Sequence, residues 1–78
     1  MQESWSHWTR YGVFELKREF SARSYYYDLY FRGVYLARYV HPATAIQEIY
    51  DGKFDKEIGA KGSEIGLPER ASDWNNLN

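Results

Sequence analysis

The sequence predicts an α+β fold in which a three-stranded antiparallel sheet packs one main helix on one face and carries an irregular C-terminal tail. The composition divides near residue 41, because twelve of the fifteen aromatic residues lie before it, whereas both prolines and most glycines lie after it. The aromatic half alternates with the period of half-buried strands, and the segment after it has the spacing of an amphipathic helix. Strands followed by a helix favour an α+β class.

The chain of 78 residues is expected to form a single domain, residues 1–78, with residues 1–7 and 75–78 loose. It contains no cysteine, which excludes disulfide bonds and thiolate-bound zinc. The net charge of −1 gives no strong field toward nucleic acid or an anionic membrane. No apolar run is long enough to span a membrane and no signal peptide is visible, so a cytoplasmic location without membrane contact is expected.

The first predicted strand covers residues 11–18. Phe14 and Leu16 alternate there with polar or smaller neighbours, which is typical of a strand with one buried face. The polar segment 19–24 is too short for a helix and is expected to be a loop that lets the next strand return antiparallel.

Residues 25–40 are predicted to form a β-hairpin around Arg32-Gly33. Glycine at the second position of a two-residue loop suits a turn that needs positive φ. Pairing outward from this turn separates an aliphatic face from a tyrosine face. The aliphatic face holds Leu29, Phe31, Val34 and Leu36, and the tyrosine face holds Tyr26, Tyr30, Tyr35 and Tyr39 with Asp28 and Arg32.

Residues 41–52 are predicted to form the main helix. Pro42 fits the first turn, where its missing N–H has no intrahelical partner, and Gly52 fits the left-handed position after the end. Beyond the helix, glycines and Pro68 interrupt longer elements, and Trp74 is expected to anchor the tail after a short helical turn. The helical stripe expected to cover the aliphatic sheet face is Ala45, Ile46, Ile49 and Tyr50.

Across residues 8–74 the sequence combines a strand-Gly-strand hairpin, a Pro-led helix and a Leu-Pro to Asp-Trp tail. The motifs are residues 29–36, His41-Pro42 with Ala45, Ile46 and Ile49, residues 51–55, Gly66-Leu67-Pro68 and Ser72-Asp73-Trp74. In this combination the chain resembles a group of small uncharacterised proteobacterial proteins. The resemblance implies a fold and a bacterial origin, and it implies no activity, cofactor or catalytic residue.

The sequence contains no motif that requires catalysis or metal binding. His41 precedes the Pro-led helix, where a capping or packing role is expected and a catalytic or ligand role is the alternative. Residues 51–55 lack the ligands of a calcium loop, and residues 59–63 lack the order of a phosphate-binding loop and are expected to form a flexible surface loop. The serines have no neighbouring base motif. We therefore expect neither an enzyme nor a cofactor or metal.

The tyrosine face is the candidate site, because ordered tyrosines on one side of a sheet offer stacking surfaces and hydroxyl donors. The expected function is a non-catalytic interaction or accessory module whose partner is another protein or a second copy of the chain. The candidate residues are Tyr26, Tyr30, Arg32, Tyr35 and Tyr39.

Other interpretations of this face stay open at the level of sequence. Trp5 and Trp8, or Trp74, could fold across the tyrosines, or the tyrosines could simply suit a half-exposed strand. The alternative function is binding of single-stranded nucleic acid, with Arg32 and Arg38 contacting phosphates. The predicted register places Arg38 on the opposite face, and the near-neutral charge also counts against this function.

Overall fold

The computed structural model, which describes residues 3–76, is an α+β fold built on an antiparallel sheet. Its elements are β1 (Ser4–Thr9), β2 (Gly12–Ser21), β3 (Ser24–Phe31), β4 (Val34–Tyr39), α1 (Pro42–Tyr50), α2 (Asp55–Ile58), 3₁₀ turns at Gly62–Glu64 and Ala71–Asp73, and β5 (Asn75–Asn76). Strands β1 to β4 form a meander, and β5 extends it in the order β4-β3-β2-β1-β5. The predicted class and main helix are confirmed, but the sheet has four strands and a two-residue fifth rather than three.

The first and last described segments, Ser4–Thr9 and Asn75–Asn76, both belong to the sheet. The prediction that residues 1–7 are loose is wrong for the described part, because Ser4–Thr9 pairs with β2 along its whole length. The prediction that residues 75–78 are loose is likewise wrong for Asn75–Asn76, which pairs with β1. The first two and last two residues of the chain lie outside the described residues. No helix in the described range is long and apolar enough to cross a membrane.

Two tight turns set the strand lengths. The predicted turn at Arg32-Gly33 is confirmed, since both residues have positive φ (54° and 81°), as the twist of a two-residue hairpin requires. A second turn of this kind lies at Ala22 and Arg23, with φ of 50° and 65°. Residues 19–24 are therefore mostly strand, and the loop expected there shrinks to two residues.

A β-bulge in the hairpin of β3 and β4 changes which side chains of β4 face the helix. Pairing begins at the turn as predicted, but the register shifts between Leu29 and Tyr30. Tyr39 therefore lies opposite Tyr27 instead of Tyr26, and its ring turns into the core, where it is 7% exposed. The prediction that Tyr39 belongs to the exposed tyrosine face is wrong, because one inserted residue reverses the alternation.

The core lies on the face of the sheet that carries α1, which we call the inner face. Ala45, Ile46 and Ile49 are buried against it, as the helical stripe predicts. Val34, which the sequence places beneath the helix, is mostly exposed. One cluster of buried side chains joins the sheet, the helices and the tail: Phe14, Leu16, Leu29, Phe31, Tyr39, Ala45, Ile46, Ile49, Phe54, Ile58, Leu67 and Trp74.

The backbone at both ends of α1 has the conformation that the sequence predicts. Pro42 occupies the first turn, and Gly52 is left-handed with a φ of 93°. His41 is the N-terminal cap residue, but its exposed ring makes no capping hydrogen bond; its backbone carbonyl accepts the Thr44 N–H at 3.2 Å. Of the capping or packing role expected for the His41 ring, the capping part is therefore wrong.

Residues 59–63 lie at the surface as the sequence predicts, with Gly59, Lys61 and Ser63 exposed, but the segment is held against α1 through Gly62. Gly62 is buried, and its N–H donates to Asp55 Oδ1 at 2.8 Å. A Cβ on Gly62 would lie 1.7 Å from the backbone oxygen of Ile49. The segment therefore lies so close to α1 that position 62 has no room for a side chain.

Three side chains join β4 to the end of α1 by hydrogen bonds. The Tyr39 hydroxyl donates to Glu48 Oε1 at 2.7 Å, and Lys53 Nζ lies 2.8 Å from the same oxygen. The hydrogen bonds from Lys53 and from Tyr39 lower the pKa of Glu48 below its ordinary value of 4.5. Burial and the hydrogen bond to Glu48 raise the pKa of Tyr39, so this hydroxyl remains a donor across the neutral range.

We expect Glu48→Gln to remove part of the acid sensitivity of folding. Because the folded pKa of Glu48 is below its unfolded value, its stabilisation is complete above pH 4.5 and is lost as the pH falls through the folded pKa. The variant should lose about 0.5 to 1 kcal/mol at neutral pH, the range for partly exposed pairs. Urea unfolding from neutral to strongly acidic pH measures this difference, which should shrink toward zero in acid. The exposed Glu69→Gln is the control, and a loss that stays constant with pH would contradict the assignment.

Candidate interaction face

The face of the sheet opposite α1, which we call the outer face, is covered by no helix among residues 3–76. Its side chains alternate along the strands with those of the inner face, such as Phe14, Leu16 and Leu29, which are fully buried. The pairing therefore defines the outer face as Ser4, Ser6, Trp8, Val13, Glu15, Lys17, Glu19, Ser21, Ser24, Tyr26, Asp28, Tyr30, Tyr35, Arg38 and Asn75.

Tyr30 and Tyr35 form the aromatic centre of the outer face. They are cross-strand neighbours whose ring centroids lie 5.8 Å apart at 71°, an edge-to-face contact. Lys17 Nζ lies 4.6 Å from the centroid of the Tyr30 ring, within cation–π range. Tyr35 stays 53% exposed. Tyr35 therefore offers its ring to solvent, whereas Tyr30 already carries a cation.

A charged pair lies beside these rings. Arg38 Nε and a second guanidinium nitrogen donate to the two carboxylate oxygens of Asp28 at 2.7 and 3.0 Å, a bidentate geometry. Asp28 is only 5% exposed, and the Arg38 guanidinium lies 5.2 Å from the centroid of Tyr26. The hydrogen bonds to Asp28 raise the pKa of Arg38 above its ordinary value. The Arg38 guanidinium is thus already hydrogen-bonded to Asp28 and in contact with the Tyr26 ring.

At the β1 side of the outer face lies Trp8, which at 71% is the most exposed large apolar residue among residues 3–76. A hollow of about 260 Å³ lies beside it, lined by Ser6, Trp8, Val13 and Glu15. Ser6, at 4% exposure, forms its floor because small side chains lie low between larger neighbours. Among the described residues, the half-buried Glu15 carboxylate has no hydrogen bond or ion pair. This corner therefore combines an exposed indole with an unpaired negative charge.

The structure brings together three of the five predicted site residues, namely Tyr26, Tyr30 and Tyr35. Tyr39 is separated from them by the bulge and lies in the core. Arg32 occupies the hairpin turn and is exposed, with its side chain against Gly12, where a Cβ would lie 2.5 Å from Arg32 Cγ.

Neither of the predicted coverings of the tyrosines is present in the described part of the chain. The Trp5 ring lies on the inner face, 6.1 Å from that of Tyr27, and the Trp74 ring lies 6.5 Å from that of Phe14. Trp8 is on the outer face, but at its β1 side. The half-burial of the tyrosines on β3 agrees with the third interpretation, in which tyrosine suits a strand of this exposure.

The sequence interpretation missed Trp8, Glu15 and Arg38 as members of this face. The alternation of residues 4–9 is a usable signal for the missing strand, and Thr9 supports its turn by accepting the Gly12 N–H at 3.2 Å. Arg38 could not be placed, because the bulge that turns it outward leaves no mark in the hydrophobic pattern.

Among residues 3–76, no three His, Cys, Asp or Glu side chains form a group that could hold a metal ion. Comparisons with family models, with curated proteins and with solved structures find no match to this chain. The likeness to a proteobacterial group stays a prediction. Function is therefore inferred from the geometry of the outer face.

Proposed function

We propose that this protein is a non-catalytic interaction module that binds another protein through the outer face of its sheet. The observation that carries the proposal is the exposure of Trp8 and Tyr35 on a sheet face without a covering helix in the described chain. Aromatic side chains supply large contact areas at low entropic cost and dominate the binding energy of protein interfaces.

The charges of the outer face favour a protein partner over single-stranded nucleic acid. The observed register puts Arg38 beside the tyrosines, as a nucleic-acid site would need, but its guanidinium is held by Asp28. Lys17 is likewise placed over Tyr30. A phosphate backbone needs available cations and avoids carboxylates, and the face also carries Glu15, Glu19 and Asp28.

The double variant Tyr30→Ser with Tyr35→Ser tests this surface. We expect it to fold and to lose about 1 to 2 kcal/mol of unfolding free energy, because one edge-to-face pair and partly buried rings are removed. Peptides selected from a displayed random library on the wild-type protein should map to the outer face by NMR shifts. They should bind the variant at least about tenfold more weakly, as expected for a lost hot spot.

The matched control replaces two exposed aromatics that lie away from the outer face. The rings of Phe20 and Tyr25 are in tilted contact near the turn of β2 and β3, with centroids 5.0 Å apart. Phe20→Ser with Tyr25→Ser should leave peptide affinity unchanged. Selected peptides that map elsewhere, or that bind both double variants equally, would contradict the proposal. Micromolar binding of mixed-sequence oligonucleotides at low salt, measured by fluorescence, would replace it with the nucleic-acid alternative.

A further inference from the structure

We infer that the hollow between Trp8 and Glu15 binds a lysine or arginine side chain of an extended, basic segment of the partner. The inference rests on the proposed function and names the chemistry of what the outer face recognises. Its elements are an indole, a carboxylate and an apolar wall within one concave corner of about 260 Å³.

Each lining residue matches one part of a long cationic side chain. The indole of Trp8 is the best natural partner for a cation–π contact, and its 71% exposure leaves the ring accessible. Val13 offers an apolar surface for the aliphatic stem, which Lys and Arg bury while the charged head stays at the rim. Glu15 supplies the opposite charge, and Ser6 leaves room because its side chain is small.

The two basic side chains of the outer face, Lys17 and Arg38, have other partners. Lys17 lies over the Tyr30 ring and Arg38 is bound by Asp28. Asp28 is thereby neutralised, and the negative charge of Glu15 is left without a partner among residues 3–76. Charge complementarity at this corner therefore calls for a cation from outside the chain.

The size of the face favours a segment over a second folded copy. The four strands have 6, 10, 8 and 6 residues. At about 4.8 Å between strands and about 3.3 Å per residue, they form a face of about 480 Å². A stable dimer of standard size buries about 800 Å² on each partner. An extended chain needs much less width, since it can lie across the strands along the row that Ser6, Glu15, Tyr30 and Tyr35 form.

This row sets the spacing of the recognised residues. The hollow lies between β1 and β2, so it is about 12 Å from Tyr35 on β4. That distance corresponds to about four residues of extended chain. The segment should therefore present Lys or Arg to the hollow and an apolar side chain to Tyr35 four positions away.

The test uses terminally blocked, Ser/Thr-rich peptides with Lys at one position and Leu four residues later. Analogues carry Arg, norleucine or Glu in place of Lys. NMR follows the indole N–H signal of Trp8 and the backbone amide signals of the outer-face strands, which remain in the Trp8→Ala variant. The Lys and Arg peptides should give saturating shifts and bind about fivefold or more tightly than the norleucine peptide. Glu15→Gln should remove this preference, and Trp8→Ala should abolish binding. The exposed Glu57→Gln is the matched control and should keep the preference.

Norleucine binding as tight as lysine binding, or a lysine preference that survives Glu15→Gln, would overturn the inference. A failure here is distinguishable from a failure of the proposed function. If library-selected peptides still map to the outer face and still depend on Tyr30 and Tyr35, only the cation site is wrong. If no peptide maps to the outer face, both are wrong.

Discussion

Replacing Gly62 by alanine is expected to destabilise the fold by about 3 kcal/mol or more, the upper end of overpacking costs. The added Cβ would lie 1.7 Å from the carbonyl oxygen of Ile49 and 2.7 Å from its carbonyl carbon. These are backbone atoms of α1, so relief requires the helix or the 59–63 segment to move. Such a move would also break the hydrogen bond from the Gly62 N–H to Asp55. Urea unfolding at neutral pH measures the loss.

Gly66→Ala separates this steric effect from a general cost of replacing glycine. Gly66 has a φ of 75° and no atom within 4 Å of a Cβ, so alanine there suffers only left-handed backbone strain. That strain costs about 1 to 2 kcal/mol. Gly62 has no positive φ and should nevertheless be the more damaging site. Equal losses in the two variants would show that the contact with Ile49 relaxes freely.

The contrast between these glycines also shows which parts of the fold can be predicted from the sequence. Gly52 and Gly33 stand in local patterns, a helix end and a two-residue turn, and both were predicted because local patterns specify local geometry. Gly62 is required by the approach of two segments that are distant in sequence. Its neighbours Lys61 and Ser63 suggest a loop, and nothing local reports the carbonyl above it.

On the outer face, too, the residues close to a local pattern were predicted correctly and the others were not. Tyr26, Tyr30 and Tyr35 were predicted, because they lie on β3 or close to a turn that fixes the register. Tyr39 and Arg38 were assigned to the wrong faces, because the bulge lies between them and that turn. A bulge inserts one residue without altering the composition of the strand. Because of the bulge, Tyr39 faces the core and Arg38 lies on the outer face, which changes the chemistry inferred for the site.

Trp74→Ala is the second large effect, with an expected loss of about 3 to 5 kcal/mol, as for other buried aromatic residues truncated to alanine. Trp74 is 4% exposed, and its ring lies 6.2 Å from His7 and 6.5 Å from Phe14. Its indole N–H donates to the Pro68 carbonyl at 3.3 Å. A domain of this length has a total stability of about 4 to 12 kcal/mol, so the variant should lose a large part of its stability.

Trp8→Ala is the matched control, because it removes the same side chain from an exposed position and should cost about 0.5 kcal/mol or less. Trp74→Phe keeps an aromatic ring but loses the bond to Pro68, and it should fall between the two. Thermal unfolding followed by circular dichroism ranks the three variants. Similar midpoints for Trp74→Ala and Trp8→Ala would mean that the Trp74 indole does not hold the tail. The tail would then be held by the buried Leu67 side chain and by the hydrogen bond from the Tyr50 hydroxyl to the Leu67 carbonyl.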